Sequence, residues 1–162
     1  MLGASIGGYI ATQYALHAPE RVKKLALLGS MGYGDTTKTV ILIILASSFR
    51  FQWVQDMTLE WALGRAPHVK KDFGEWFSLI LDGTMSKATP PETFMPVQLQ
   101  HMQVPVLAFF GTKDNVIGDA QKAKTLAENI PDVQITIVES GHLIGAEVPD
   151  TVNPAMLDFF QE

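Results

Sequence analysis

The sequence predicts an α/β chain: a short parallel sheet with helices packed against it, interrupted by one long insertion. Three observations carry that expectation. Short apolar runs alternate with segments of helical periodicity. The runs end at or close to glycines, which punctuate turns. The resulting order, strand then helix then strand, is the pattern of parallel strands joined by right-handed crossovers.

The elements follow in order along the chain. Ile6 to Leu16 reads as a helix, with Ile6, Ile10 and Tyr14 on one stripe, and Pro19 closes it. Val22 to Leu28 is an apolar run ending at Gly29, which suits a strand. Val104 to Phe110 is a second strand, stopped by Gly111. Asp119 to Asn129 reads as a helix with Ala120, Ala123 and Ala127 at helical spacing. Val133 to Val138 is a third strand. Val148 to Phe160 is a closing helix, begun by Asp150 or Thr151. Three parallel strands are therefore expected.

Residues 34–99 break the alternation. They are rich in Phe, Trp and Leu, contain helix-like pieces at Thr58 to Leu63 and Phe73 to Leu81, and end in the loop Thr89-Pro90-Pro91. A mainly helical cap inserted over the sheet is expected, between a first core segment at 1–33 and a second at 100–162. Trp53, Trp61 and Trp76 are read as cap core, with a pocket-lining role as the alternative.

Composition narrows the function classes. The 162 residues are 47% hydrophobic and 18% charged, ordinary values for a globular chain. The net charge of −5 is scattered and no Lys/Arg cluster exists, which argues against nucleic acid as a partner. There are no cysteines, so disulfides and thiolate metal sites are excluded. No His/carboxylate pair stands at the helical spacing of a metal motif, so neither metal nor cofactor is expected. The longest apolar run, Val40 to Ala46, is far short of the roughly 20 residues a membrane-spanning helix needs. Met1 to Ser5 lacks the basic and apolar regions of a signal peptide, and a cytoplasmic protein is expected.

The chemistry begins at Gly3-Ala4-Ser5-Ile6-Gly7, a G-x-S-x-G pattern followed at once by a helix. A serine hydroxyl is a poor nucleophile unless held exposed beside a base. A sharp strand-to-helix turn does this, and small neighbours allow the turn. Gly7 and Gly8 are read as permitting close helix-to-strand packing. The base must be a histidine. His17 ends the first helix, His68 follows a proline in the cap, and His101 lies in a loop; each is read as solvated or structural. His142 follows Ser140-Gly141 just beyond the third strand, at the sheet edge where reactive groups of open parallel sheets gather. The histidine needs an acid to fix its tautomer. Asp114, in Gly111-Thr112-Lys113-Asp114, lies beyond the second strand at the same edge; Asp119 and Asp35 are the alternatives.

The order Ser5, Asp114, His142 is the nucleophile, acid, base order of α/β-hydrolases. Gly3 to Ala11 resembles the elbow and following helix of that superfamily. Pro19 to Leu25 resembles its approach to the sixth strand, and Val104 to Leu107 with Gly111 and Asp114 its seventh strand and acid. Gly141-His142-Leu143 resembles the histidine loop, and Pro149 to Phe160 the last helix. The similarity runs over all but the cap and points to the serine esterase and lipase branch, with C–C bond hydrolases and cofactor-free perhydrolases as alternatives. It implies acyl transfer to Ser5, an oxyanion donor at the Ile6 N–H, and a small-molecule ester with an apolar acyl group. A truncated, non-catalytic remnant that binds or assembles with a partner is the alternative.

Complete members place the elbow near the middle, whereas here Ser5 is four residues from Met1. Only Met1-Leu2 corresponds to the strand that feeds the elbow. The loop that supplies the second oxyanion donor has no counterpart, and losing one such donor costs on the order of a hundredfold in rate or more. A bare sheet edge is expected, inviting a homodimer or a complementing N-terminal half.

Overall fold

The computed structural model describes residues 1–35, Met57, Trp61 and 91–161. Its centre is a four-stranded, all-parallel sheet in the order β1-β2-β3-β4, formed by Leu2–Ala4, Leu25–Leu28, Val106–Gly111 and Val133–Val138. Four strands replace the expected three because Leu2, Gly3 and Ala4 pair in parallel with Ala26, Leu27 and Leu28. β2 and β3 are buried along their whole length, as central parallel strands covered on both faces must be. β4 is an edge strand and alternates in burial until Val138.

Strand starts fall later than the apolar runs suggest, for a backbone reason. Residues Pro19–Arg21 form a 3-10 turn and the Val22 N–H bonds back to the Pro19 carbonyl, so β2 begins only at Leu25. Pro105 has no N–H to give a ladder, and β3 begins at Val106. The Pro105 carbonyl still accepts from Leu25 N at 3.0 Å.

Five helices flank the sheet among the described residues. They are α1 (Ile6–His17), α2 (Pro96–Leu99), α3 (Ala120–Ala127), α4 (Ile144–Glu147) and α5 (Pro149–Gln161). Side chains alternate across a strand, so the sheet feeds two cores. Leu25, Leu27, Val106, Ala108 and Phe110 join α1, α2 and α3 on one face. Ala26, Leu28, Leu107 and Phe109 join α4 and α5 through Ile144, Val152 and Phe159 on the other. Asp119 caps α3, accepting from Gln121 N at 2.8 Å and Lys122 N at 3.4 Å. The closing helix starts at Pro149, where a missing N–H costs nothing, and not at Asp150 or Thr151.

The apolar stripe of α1 points away from the core. Ile6 is 48% and Ile10 61% exposed, and Tyr14 is exposed too, while Gly8, Ala11, Thr12 and Ala15 form the buried face. Small residues win that face because α1 lies close to the sheet. A Cβ on Gly8 would come within 2.5 Å of Ser30 Oγ, and one on Gly3 within 2.6 Å of the Gly7 carbonyl. Gly7 itself faces open space, so Gly3 and Gly8, not the Gly7-Gly8 pair, allow the approach.

Most of the expected cap, including Trp53, Trp76, His68 and the piece at Phe73 to Leu81, lies outside the described residues. Of Thr58 to Leu63 only Trp61 is described. It is exposed, and its carbonyl accepts from Asn115 Nδ2 at 2.6 Å.

Candidate active site

Parallel strands deliver their C-terminal ends to one edge, and the candidate residues follow those ends. Ser5 follows β1, Asp114 follows β3 and His142 follows β4. Ser5 is the joint between strand and helix, with φ 51° and ψ −125°. It is the one non-glycine residue at positive φ among those described. Such a conformation costs of order 1–3 kcal/mol and persists only where the surroundings enforce it. Here they do so through the backbone. Ser5 N donates to the Leu28 carbonyl at 3.1 Å, and the Ser5 carbonyl accepts from Gly8, Tyr9 and Met31 N at 3.0, 3.3 and 3.1 Å.

The turn aims Ser5 Oγ at His142 Nε2, 2.8 Å away. The other ring nitrogen, Nδ1, stands 2.8 Å from Asp114 Oδ2. Asp114 is 2% and His142 6% exposed, so their contact is shielded from water, while the contact to Ser5 is partly buried. Asp114 Oδ1 accepts from Val116 N at 2.8 Å and Ile117 N at 3.1 Å, which locks the carboxylate in place. An ionised carboxylate only accepts, so Nδ1 carries the ring proton and Nε2 is left to accept from the serine hydroxyl. That is the tautomer a general base requires.

The start of α1 adds a field. Ile6 and Gly7 open the helix, where N–H groups lack intrahelical acceptors and the dipole favours negative charge. An oxyanion formed beside Ser5 Oγ would sit in that field.

The remaining candidates do not converge on this edge. Asp119 is occupied as a helix cap, and Asp35, His17 and His101 are exposed. Two supporting features escaped the sequence reading. A Cβ at Gly111 would lie 2.4 Å from the Ser140 carbonyl and 2.6 Å from that of Gly141, so the histidine loop rests on bare backbone. Glu147 reaches back to that loop from α4. The glycine ending an apolar run was a usable signal for the first; nothing in the sequence signalled the second. No group of three His, Asp or Glu residues among those described could hold a metal ion.

A family model described as "alpha/beta hydrolase fold" matches residues 1–75. A candidate carbamate hydrolase, RutD, of Azorhizobium caulinodans is 28% identical over 99% of this chain and 65% of its own length. Carboxylesterase YbfK of Bacillus subtilis is 25% identical over 98% of this chain and 56% of its own. A crystal structure of a candidate hydrolase from Bacillus subtilis superposes with a TM-score of 0.82 at 24% identity, covering 99% of this chain and 59% of that one. The chain is similar to α/β-hydrolases in sequence and shares their fold from the Ser5 turn onward. It spans 56% to 65% of the length of the two curated relatives.

Proposed function

We propose that this chain carries the reacting groups of a serine hydrolase that cleaves carboxylic esters with an apolar acyl group, through an acyl-enzyme on Ser5. The observation that carries the reading is the pair of 2.8 Å contacts through one imidazole, Ser5 Oγ to His142 Nε2 and His142 Nδ1 to Asp114 Oδ2. Hydrolase and esterase names among the relatives support the class of reaction. The Phe, Trp and Leu of residues 34–99 support an apolar acyl group.

The steps balance without a cofactor. Ser5 Oγ attacks the ester carbonyl as His142 Nε2 takes its proton, and the carbonyl oxygen becomes an oxyanion facing Ile6 N–H. Collapse expels the alcohol, which leaves with the proton from His142. Water then gives a proton to His142 as it attacks the acyl-enzyme, and collapse releases the carboxylic acid while His142 returns that proton to Ser5 Oγ. Asp114 stays ionised and steadies the imidazolium throughout.

The same reading takes residues 1–33 and 100–162 as the hydrolase core, 34–99 as its cap, and the location as cytoplasmic. No described helix is long and apolar enough to cross a membrane. β1 has no partner on its outer side among the described residues, and its Leu2 and the preceding Met1 are exposed, which supports a second copy or a complementing half at that edge.

Turnover of a series of p-nitrophenyl esters by the purified chain and by Ser5→Ala tests the function. Ser5-dependent hydrolysis that favours longer acyl groups is expected. Equal rates for the two proteins would leave the non-catalytic remnant as the better account.

A further inference from the structure

The histidine loop is gripped from both sides. On the sheet side it lies on Gly111, and the Ser140 carbonyl accepts from Lys113 N at 2.9 Å. On the outer side the loop closes on itself. Glu147 Oε2 accepts from Gly141 N at 2.8 Å, and the N–H groups of Ala146 and Glu147 return to the Leu143 carbonyl at 2.9 and 3.0 Å. His142 lies inside this closed loop, between two residues whose backbones are tied. Glu147 Oε1 is buried with no hydrogen-bond partner among the described residues, so the carboxylate has this one contact to hold it. A buried carboxylate oxygen without a partner is an expensive arrangement for a side chain that only needs to be somewhere.

We infer that Glu147 is a positioning residue for His142: its carboxylate fixes the Gly141–His142 peptide, and thereby holds Nε2 at Ser5 Oγ and Nδ1 at Asp114. The inference rests on the proposed role of His142 as the base. The bond is charge-assisted, stronger than one between neutral groups, and it acts one residue from the imidazole. A misplacement of the ring by about 1 Å suffices to cost on the order of a hundredfold in rate. Side-chain length matters as much as charge. Gln presents an oxygen at the same reach, Asp falls one methylene short, and Ala leaves the Gly141 N–H buried and unpaired.

Two readouts on the 162-residue chain test this. The first is the low-field proton resonance of the His142 Nδ1–H bonded to Asp114, which reports ring position without any turnover. The second is the rate at which a fluorophosphonate labels Ser5. In Glu147→Ala, with circular dichroism showing retained fold, the resonance broadens or disappears and labelling slows by about tenfold to a hundredfold. Glu147→Gln keeps the resonance and restores most of the rate. A folded Glu147→Ala with a sharp resonance at the wild-type position overturns the inference. Should Glu147→Ala unfold, Gln and Asp variants carry the comparison: resonance kept in Gln and lost in Asp supports the role, and equal behaviour refutes it. Absence of Ser5 labelling in the wild type would count against the proposed function alone, because the resonance still decides the role of Glu147.

Discussion

At the scale of single residues, the chemistry open to the site depends on where protons sit. Asp114 holds Nδ1–H with one oxygen and two backbone N–H groups with the other, so its acceptor role is fully committed. Asp114→Asn preserves that shape but presents an NH2 group to the ring, which favours the wrong tautomer. Ester turnover is expected to fall about ten-thousandfold with the fold intact. A loss under tenfold, measured as kcat with unchanged circular dichroism, would move the acid elsewhere. These three residues were legible in the sequence because each follows a strand and the order of types is restrictive. Glu147 was not, because a lone glutamate between Ala146 and Val148 carries no motif that sets it apart from a solvated surface residue. Only the folding back of α4 brings it to Gly141.

At the scale of elements, helix α1 separates pattern from packing. Its bulky apolar residues share one stripe, yet the helix sits so close to the sheet that Gly8, Ala11, Thr12 and Ala15 take the buried face. Period alone could not reveal this, since it does not encode the distance between layers. Gly8→Ala drives a methyl into Ser30 and is expected to destabilise the chain by about 1–3 kcal/mol. Gly7→Ala meets open space and should be neutral, or stabilising by up to about 1 kcal/mol. Urea denaturation of both variants checks the contrast; equal losses would contradict the packing described. The strand boundaries were misjudged for a related reason, because hydrophobicity does not report that Pro105 lacks an N–H or that Val22 spends its own on Pro19.

The core beneath α1 makes a prediction about alkali. Tyr33 packs at a tilt against Phe94 and Phe110, and burial pushes its phenol well above the ordinary 10.0, an effect its hydrogen bond with Thr12 only partly offsets. The folded state therefore keeps the proton that the unfolded chain loses. The stability this represents is complete below pH 10 and drains away as pH rises beyond it. Denaturation at pH 9 and pH 11 should show a larger loss for the wild type than for Tyr33→Phe. Identical losses would mean that Tyr33 ionises freely in the folded chain.

At the scale of the whole molecule, topology does the assembling. A parallel sheet sends β1, β3 and β4 to one edge, and residues separated by 137 and 28 positions meet there through two contacts of 2.8 Å. Alternation of apolar runs and helices made the sheet predictable. The fourth strand was hidden because Leu2-Gly3-Ala4 is too short to show a pattern and is defined only by its pairing with β2. The central claim is that these residues form a working nucleophile within this chain. Intact-mass analysis after fluorophosphonate treatment, beside Ser5→Ala, tests it most directly. One equivalent of label on the wild type and none on Ser5→Ala is the expected result; a folded wild-type chain that takes up no label, or that labels equally in Ser5→Ala, would contradict it.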